Sequence, residues 1–347
     1  MNRFFPLLMA LLLALTACHD SKDEPTPDAQ ADTDIYVLIG SNDRDLVYSL
    51  DGTCVYRGDE GCRIASLKAE GSDWYALVKS DDGKNDIIKN GKSILSTTQE
   101  ITEFGVGNGH VFSLQRVKQA DGTYQWSYWR DSKPGGQLEG DQDYSYRNLV
   151  VNTYRSQYEP TYVEIMFLSV TPEGTSLVFD NHRTGTLSLD EFGLADNYVI
   201  SADFDNTLVY CYEDKETGKY MYMWKYKDLE LDFMPCQALV CDYTPYILGN
   251  KMTGQIGSAT GTQPVVLIDG KETILAADFL PKPLVRGVKM LRHGSDVYIL
   301  ATGNNYSCIF KNLVPIQVQA VIPNPWYITA DMISLTNAEY KDFIVVE

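Results

Sequence analysis

Past Leu15, this chain of 347 residues has no uninterrupted apolar run of the roughly 20 residues that a membrane-spanning helix needs. Histidine is scarce, with four in all, and no C-x-x-C pair occurs, so neither a zinc centre nor any other metal site is expected. No G-x-S-x-G elbow places a serine nucleophile. No segment carries the i, i+3, i+4, i+7 apolar spacing of a long amphipathic helix. Positive charge is also short. The 29 Lys and Arg residues face 47 Asp and Glu, a formal net charge of −18. A field of that sign repels phosphate backbones and anionic head groups, so no nucleic-acid partner is expected.

What the chain does have begins at its first residue. Residues 1–18 read MNRFFPLLMALLLALTAC: a basic start at Arg3, an apolar stretch from Phe4 to Leu15, then small residues ending in cysteine. As a helix that stretch rises only about 18 Å, well short of a roughly 30 Å hydrocarbon core, so a cleaved leader fits better than a span. Leu15-Thr16-Ala17-Cys18 resembles the lipobox of bacterial lipoproteins. The resemblance implies cleavage before Cys18, lipid attachment to that cysteine and membrane anchoring outside the cytoplasm. Residues 1–17 are then the signal peptide. The charged and proline-containing residues 18–34 have little to bury and read as a solvated tether, leaving 35–347 as the folded domain. Lys22-Asp23-Glu24 resembles the surface-export signal of Bacteroidota lipoproteins, which implies an outer-membrane, surface-exposed location.

Six cysteines remain beyond the anchor. An exported compartment permits disulfides, and Cys54 and Cys62 flank an Arg57-Gly58-Asp59-Glu60-Gly61 turn, where they could face each other across a hairpin. Free thiols acting as small buried hydrophobes are the alternative.

Repeats carry most of the information. Asp51-Gly52, Asn90-Gly91 and Asp269-Gly270 each sit between strand-like runs. Such pairs suit two-residue hairpins, whose type I′ turns need positive φ at both positions. Poorer copies follow the same hydrophobic lead at Asp131-Ser132, Asn181-His182, Tyr226-Lys227 and Asn312-Leu313. The series runs 51, 90, 131, 181, 226, 269 and 312. The clearest unit, residues 63–96, reads as four short antiparallel strands, and its Gly71-Ser72-Asp73-Trp74-Tyr75 junction aligns with Gly294-Ser295-Asp296-Val297-Tyr298.

Seven four-stranded units of this length predict an all-β fold, a seven-bladed β-propeller. WD40, kelch and Asp-box signatures are missing. The Ile88-Lys89-Asn90-Gly91-Lys92 turn resembles those repeated in Bacteroidota lipoproteins. Ring closure is open at this stage. The chain starts at a second strand (35–40) yet ends with both a first strand (332–335) and a second (343–346). The expectation is that the strand near Ala330–Leu335 closes the first blade beside Ile35–Gly40.

Residues pointing to chemistry are few, and no catalytic residue or cofactor is expected. His110, His182 and His293 all sit in turn-like contexts. Acidic pairs such as Asp81 with Asp82 and Asp203 with Asp205 are what a chain this acidic produces by chance. Ser80–Asp86 looks calcium-like but lacks the EF-hand order and its terminal Glu. The aromatic stripes Tyr124/Trp126/Tyr128 and Tyr220/Tyr222/Trp224/Tyr226 could stack on sugar rings, although blades covered on both faces need such bulk for packing. Trp326 and Tyr327, in the proline-fixed Pro323-Asn324-Pro325-Trp326-Tyr327 loop, are the candidate ligand-binding pair. The leading expectation is a lipid-anchored binding protein for a glycan or a protein partner. A propeller-type polysaccharide hydrolase using funnel carboxylates and a scaffold subunit of an outer-membrane complex are the alternatives.

Overall fold

The computed structural model describes residues 33–138, 143–154, 162–180, 185–188, 199–202, 208–214, 216–225, 227–253, 261–325 and 332–347. Among them, 28 of 30 strands form seven four-stranded antiparallel sheets, and the other two form a small separate sheet. Blade 1 takes β1 (Asp34–Gly40), β2 (Asp45–Ser49) and β3 (Cys54–Arg57) from the N-terminal end. Blade 2 is β4 (Cys62–Glu70), β5 (Asp73–Ser80), β6 (Asn85–Lys89) and β7 (Lys92–Thr97). Blade 3 is β8 (Glu100–Gly107), β9 (His110–Lys118), β10 (Tyr124–Arg130) and β11 (Lys133–Leu138). Blade 4 is β12 (Ser145–Tyr154), β13 (Tyr162–Thr171), β14 (Gly174–Asp180) and β15 (Gly185–Ser188). Blade 5 is β16 (Val199–Ala202), β17 (Leu208–Glu213), β18 (Tyr220–Trp224) and β19 (Lys227–Leu231). Blade 6 is β20 (Met234–Cys241), β21 (Thr244–Met252), β22 (Thr262–Ile268) and β23 (Lys271–Ile274). Blade 7 is β24 (Arg286–His293), β25 (Asp296–Gly303), β26 (Tyr306–Lys311) and β27 (Val314–Ile316). The fold is the seven-bladed β-propeller that the repeat predicts.

Alternation along each strand explains why the blades stack. In β1, Val37 and Ile39 pack toward blade 7 while Leu38 packs toward blade 2. In β5, Trp74, Ala76 and Val78 face blade 1 while Tyr75 and Leu77 face blade 3. Both faces are apolar because both are covered, so the strands read as near-continuous hydrophobic runs. Seven apolar clusters result, one at each junction between neighbouring blades, including that between blades 7 and 1. The described members of the two aromatic stripes, which leave out Tyr226, belong to these junctions. Trp126 lies edge-on to Tyr146 of blade 4 at 5.3 Å, and Tyr222 is buried against blade 6.

Closure differs from the expectation. The strand that completes blade 1 is β30 (Tyr340–Val346), paired with β1 from Asp34↔Val346 to Ile39↔Tyr340. The stretch at Met332–Ser334 is β29, which pairs instead with β28 (Val321–Pro323) in the small extra sheet. That removes the apparent surplus strand and leaves the count at seven. The physical reason is burial: Tyr340 and Phe343–Val346 are all buried between blades 7 and 2, whereas Met332 is 55% exposed.

The third-to-fourth-strand turns follow the predicted chemistry at most of the described positions. Asn90/Gly91 and Asp269/Gly270 have positive φ at both residues, and so have Asn312/Leu313. Asp131 and Lys225 each open their turn at positive φ, which puts the blade 5 turn one residue earlier than the sequence suggests. At Asp51-Gly52 the loop is four residues, Leu50–Thr53, and only Gly52 has positive φ. There the Asp51 carboxylate accepts from Thr53 N at 2.8 Å and from Ser49 Oγ. Asn181-His182 lies outside the described residues.

The turn asparagines explain the repeated junction. Asn90 Oδ1 accepts from Trp74 N at 2.9 Å, while its Nδ2 donates to Asp73 at 2.7 Å, and Lys89 closes on the same carboxylate at 2.6 Å. Asn312, Asp296 and Lys311 repeat this at Val297 with distances of 2.9, 2.7 and 2.8 Å. The Lys-Asn of one turn thus reads the Asp that opens the second strand of the same blade.

Candidate functional site

The innermost strands β4, β8, β12, β20, β24 and β30 each carry a register shift: at Ile64/Ser66, Ile101/Glu103, Arg147/Val150, Pro235/Gln237, Gly287/Lys289 and Tyr340/Asp342. A bulge bends the strand and frees backbone groups from the ladder. Of the five polar residues just past a bulge, all but Ser66 reach backbone of the next inner strand. Glu103 accepts from Asn148 N and Leu149 N at 2.8 and 2.7 Å. Gln237 both accepts from Met290 N and donates to Met290 O, at 2.6 and 2.7 Å. Asp342 accepts from Leu67 N at 2.7 Å across the closure junction. Lys289 donates to Asp342 Oδ1, Leu67 O and Phe343 O at 2.6, 3.1 and 2.8 Å, using all three of its hydrogens.

These strands surround a central cavity of about 840 Å³. Its lining runs from this layer, at Leu67, Glu103, Gln237 and Lys289, to the ends of the inner strands at Gly71, Thr153 and Gly294. Most polar groups of the layer are satisfied by neighbouring backbone. Lys68, half-buried in the wall, is different: among the described residues its ammonium has no hydrogen-bond or ion-pair partner. Burial pushes the Lys68 ammonium below its ordinary range and Lys289 adds to that, while Asp342 and Glu103 pull the other way. Asn152, on the wall contributed by blade 4, has an enclosed amide Nδ2 that also lacks an acceptor.

Around one mouth of the cavity lie the turns that join first and second strands. Asn108/Gly109 and Asp242/Tyr243 have positive φ at both positions. Glycine and asparagine tolerate that region; a tyrosine pays steric strain to occupy it. Tyr243, at φ 60°, is nevertheless 58% exposed. Its neighbour Asp242 is held by Arg292 of blade 7 at 2.8 Å, next to His293 and Gly294 on the cavity lining.

Several residues singled out from sequence fall elsewhere. Cys18, Trp326 and Tyr327 lie outside the described residues, as do His182, Asp203 and Asp205. Cys54 and Cys62 are free thiols. The segment between them is a blade-to-blade link, from the outermost strand of blade 1 to the innermost of blade 2, so no hairpin sets the two side chains opposite each other. His110 opens β9, and its Nδ1 meets Asp131 at 2.9 Å. In the calcium-like segment, Asp82 accepts from Lys84 N at 3.1 Å and from Ser80 Oγ, the pattern of a side-chain-braced hairpin turn. Sequence reading missed Lys68, Asn152 and Tyr243. Only Tyr243 left a signal, an aromatic in a turn slot that Ser72, Gly109 and Ser295 fill in other blades.

No known protein family matches the chain, and no curated protein is detectably similar to it in sequence. Solved structures resemble it in fold. The chain is similar to the β-propeller domain of the Trilobed protease from Pyrococcus furiosus, at 10% identity and a TM-score of 0.46, over 83% of this chain and 92% of that one. Apo AztD from Citrobacter koseri matches at 10% identity and a TM-score of 0.49, over 90% and 97%. Acylaminoacyl peptidase from Pyrococcus horikoshii matches at 9% identity and a TM-score of 0.49, over 83% of this chain and 50% of that one.

Proposed function

We propose that this propeller is a lipid-anchored binding protein of the outer membrane, displayed at the cell surface through Cys18, that takes a glycan or protein partner at the cavity mouth. The observation that carries the reading is Tyr243. A bulky side chain kept at positive φ and left 58% exposed, next in sequence to the Asp242 that Arg292 holds, is a strained position on an open turn. Tyrosine and arginine at a turn-lined opening supply a flat apolar face and directed donors, the chemistry that binding surfaces favour. Glu103 and Asp342 tell against the hydrolase alternative, because both oxygens of each already accept backbone N–H or Lys289. A glycosidase needs a carboxyl pair free to meet substrate.

The test has two parts. Purified protein is applied to a glycan array and, immobilised, to solubilised surface proteins, with Tyr243→Ala and Trp326→Ala alongside. Binding that falls at least about tenfold in Tyr243→Ala, about 1.4 kcal/mol, supports the mouth as the site. Undiminished binding in that variant moves the site elsewhere. Separately, Cys18→Ala is expected to lose metabolic labelling by a fatty acid and to leave the membrane fraction. Labelling that persists would remove the lipoprotein reading.

A further inference from the structure

Lys68 stands apart from Lys289, Glu103 and Asp342 in the bulge layer. Lys289 spends its three hydrogens on Asp342, Leu67 O and Phe343 O; Glu103 and Asp342 are held by backbone N–H groups. Lys68 lines the same cavity, and among the described residues its ammonium has no acceptor. An ammonium set in a cavity wall, partly withdrawn from bulk water and open to the space inside, gains from a counter-charge that enters that space. We infer that the cavity is a binding site for a small molecule bearing a single carboxylate, which pairs with Lys68.

The charge count selects the class. One ammonium is uncommitted, which matches one negative charge. A phosphate or sulfate dianion would bring a second charge toward Glu103 and Asp342 inside a strongly acidic protein, and is disfavoured. A cavity of about 840 Å³ holds a molecule of sugar-acid or amino-acid size. The inference rests on the binding reading above and names the chemistry of what enters the cavity.

The experiment uses the full chain and reads acetylation of Lys68 by mass spectrometry at limiting reagent. The probes are glucuronate and N-acetylalanine, with glucose and N-acetylalaninamide as their neutral counterparts. The expected result is that one carboxylate slows Lys68 labelling by about tenfold at roughly ten times its Kd, while its neutral counterpart and the surface lysines show no change. Which carboxylate protects separates a sugar acid from an amino-acid carboxylate. No protection by either overturns the proposal, even where Tyr243-dependent partner binding is seen. An empty array, conversely, leaves the labelling result standing.

A second measurement covers the alternative that Lys68 is structural. Removing an unpaired, half-buried charge should raise stability, so Lys68→Met is expected to melt above wild type and to lose the thermal shift given by the protecting carboxylate. Lys68→Arg should keep that shift. A Lys68→Met protein that melts lower would overturn the assignment.

Discussion

Asp342→Ala should cost this ring more than any other single polar truncation at the closure junction. Asp342 is 7% exposed and accepts from Leu67 N, Phe343 N and Lys289 Nζ, at 2.7, 2.7 and 2.6 Å. Leu67 belongs to blade 2, Phe343 to the closing strand and Lys289 to blade 7, so one carboxylate ties three blades. Truncation leaves a buried ammonium without its counter-ion and two N–H groups without acceptors. Breaking a buried pair on one side costs about 3–5 kcal/mol, and about 4 is expected here. An unfolding entropy of about 2.1 cal/mol/K per residue over roughly 310 residues converts that to a Tm lower by about 6 °C. Thermal unfolding followed by tryptophan fluorescence and far-UV circular dichroism is the assay, with coincident transitions as the check on cooperativity. The double variant Lys289→Met/Asp342→Ala removes both charges and should recover about 2 kcal/mol relative to Asp342→Ala alone. A Tm shift under about 2 °C, or simple additivity in the double variant, would refute the clamp.

Other outcomes follow from the same geometry. Deleting residues 340–347 removes six buried residues of the closing strand, and soluble folded protein should be lost, as read by the disappearance of the cooperative thermal transition. Gly249→Ala should destabilise by about 1–3 kcal/mol in urea, because an added Cβ would meet Phe233 Cδ2 at 2.2 Å and the Met234 carbonyl oxygen at 2.5 Å. Asn90→Ala should cost about 1–2 kcal/mol and Asn90→Gly less, since both lose the bonds to Trp74 and Asp73 but only alanine strains at φ 48°. Asp73 and Asp296 are held below the usual carboxylate range, first by Lys89 and Lys311 and then by the turn asparagines. Their contribution is therefore present above the unfolded value of about 3.9 and lost as pH falls through the lower folded value; stability measured from pH 7 down should hold to about pH 5 and then decline.

The seven-fold repeat was legible because it rests on local chemistry. A two-residue turn needs positive φ, so Asn90-Gly91 and Asp269-Gly270 mark their hairpins before any tertiary contact is known. The Asp73 and Asp296 junctions were visible for the same reason, although their link to Lys89-Asn90 and Lys311-Asn312 needed the folded blade. The aromatic stripes could be assigned to packing because a radial blade is covered on both faces. Closure was not legible, since Met332–Ser334 and Tyr340–Val346 both read as strands. Which of them enters blade 1 depends on burial against blades 7 and 2, a long-range property. The cavity was hidden for a related reason. Lys68 sits in a strand sequence, Ser66-Leu67-Lys68-Ala69, that reads as ordinary alternation toward solvent, and only the ring turns that outward position into the wall of an enclosed space. Turn stereochemistry and two-residue periodicity are set within a few residues, so the amino-acid order determined the blades. The partners of Asp342 and Lys289 lie up to 275 positions away along the chain, and only the closed ring decided which charges of the inner layer are paired and that Lys68 has no partner among the described residues.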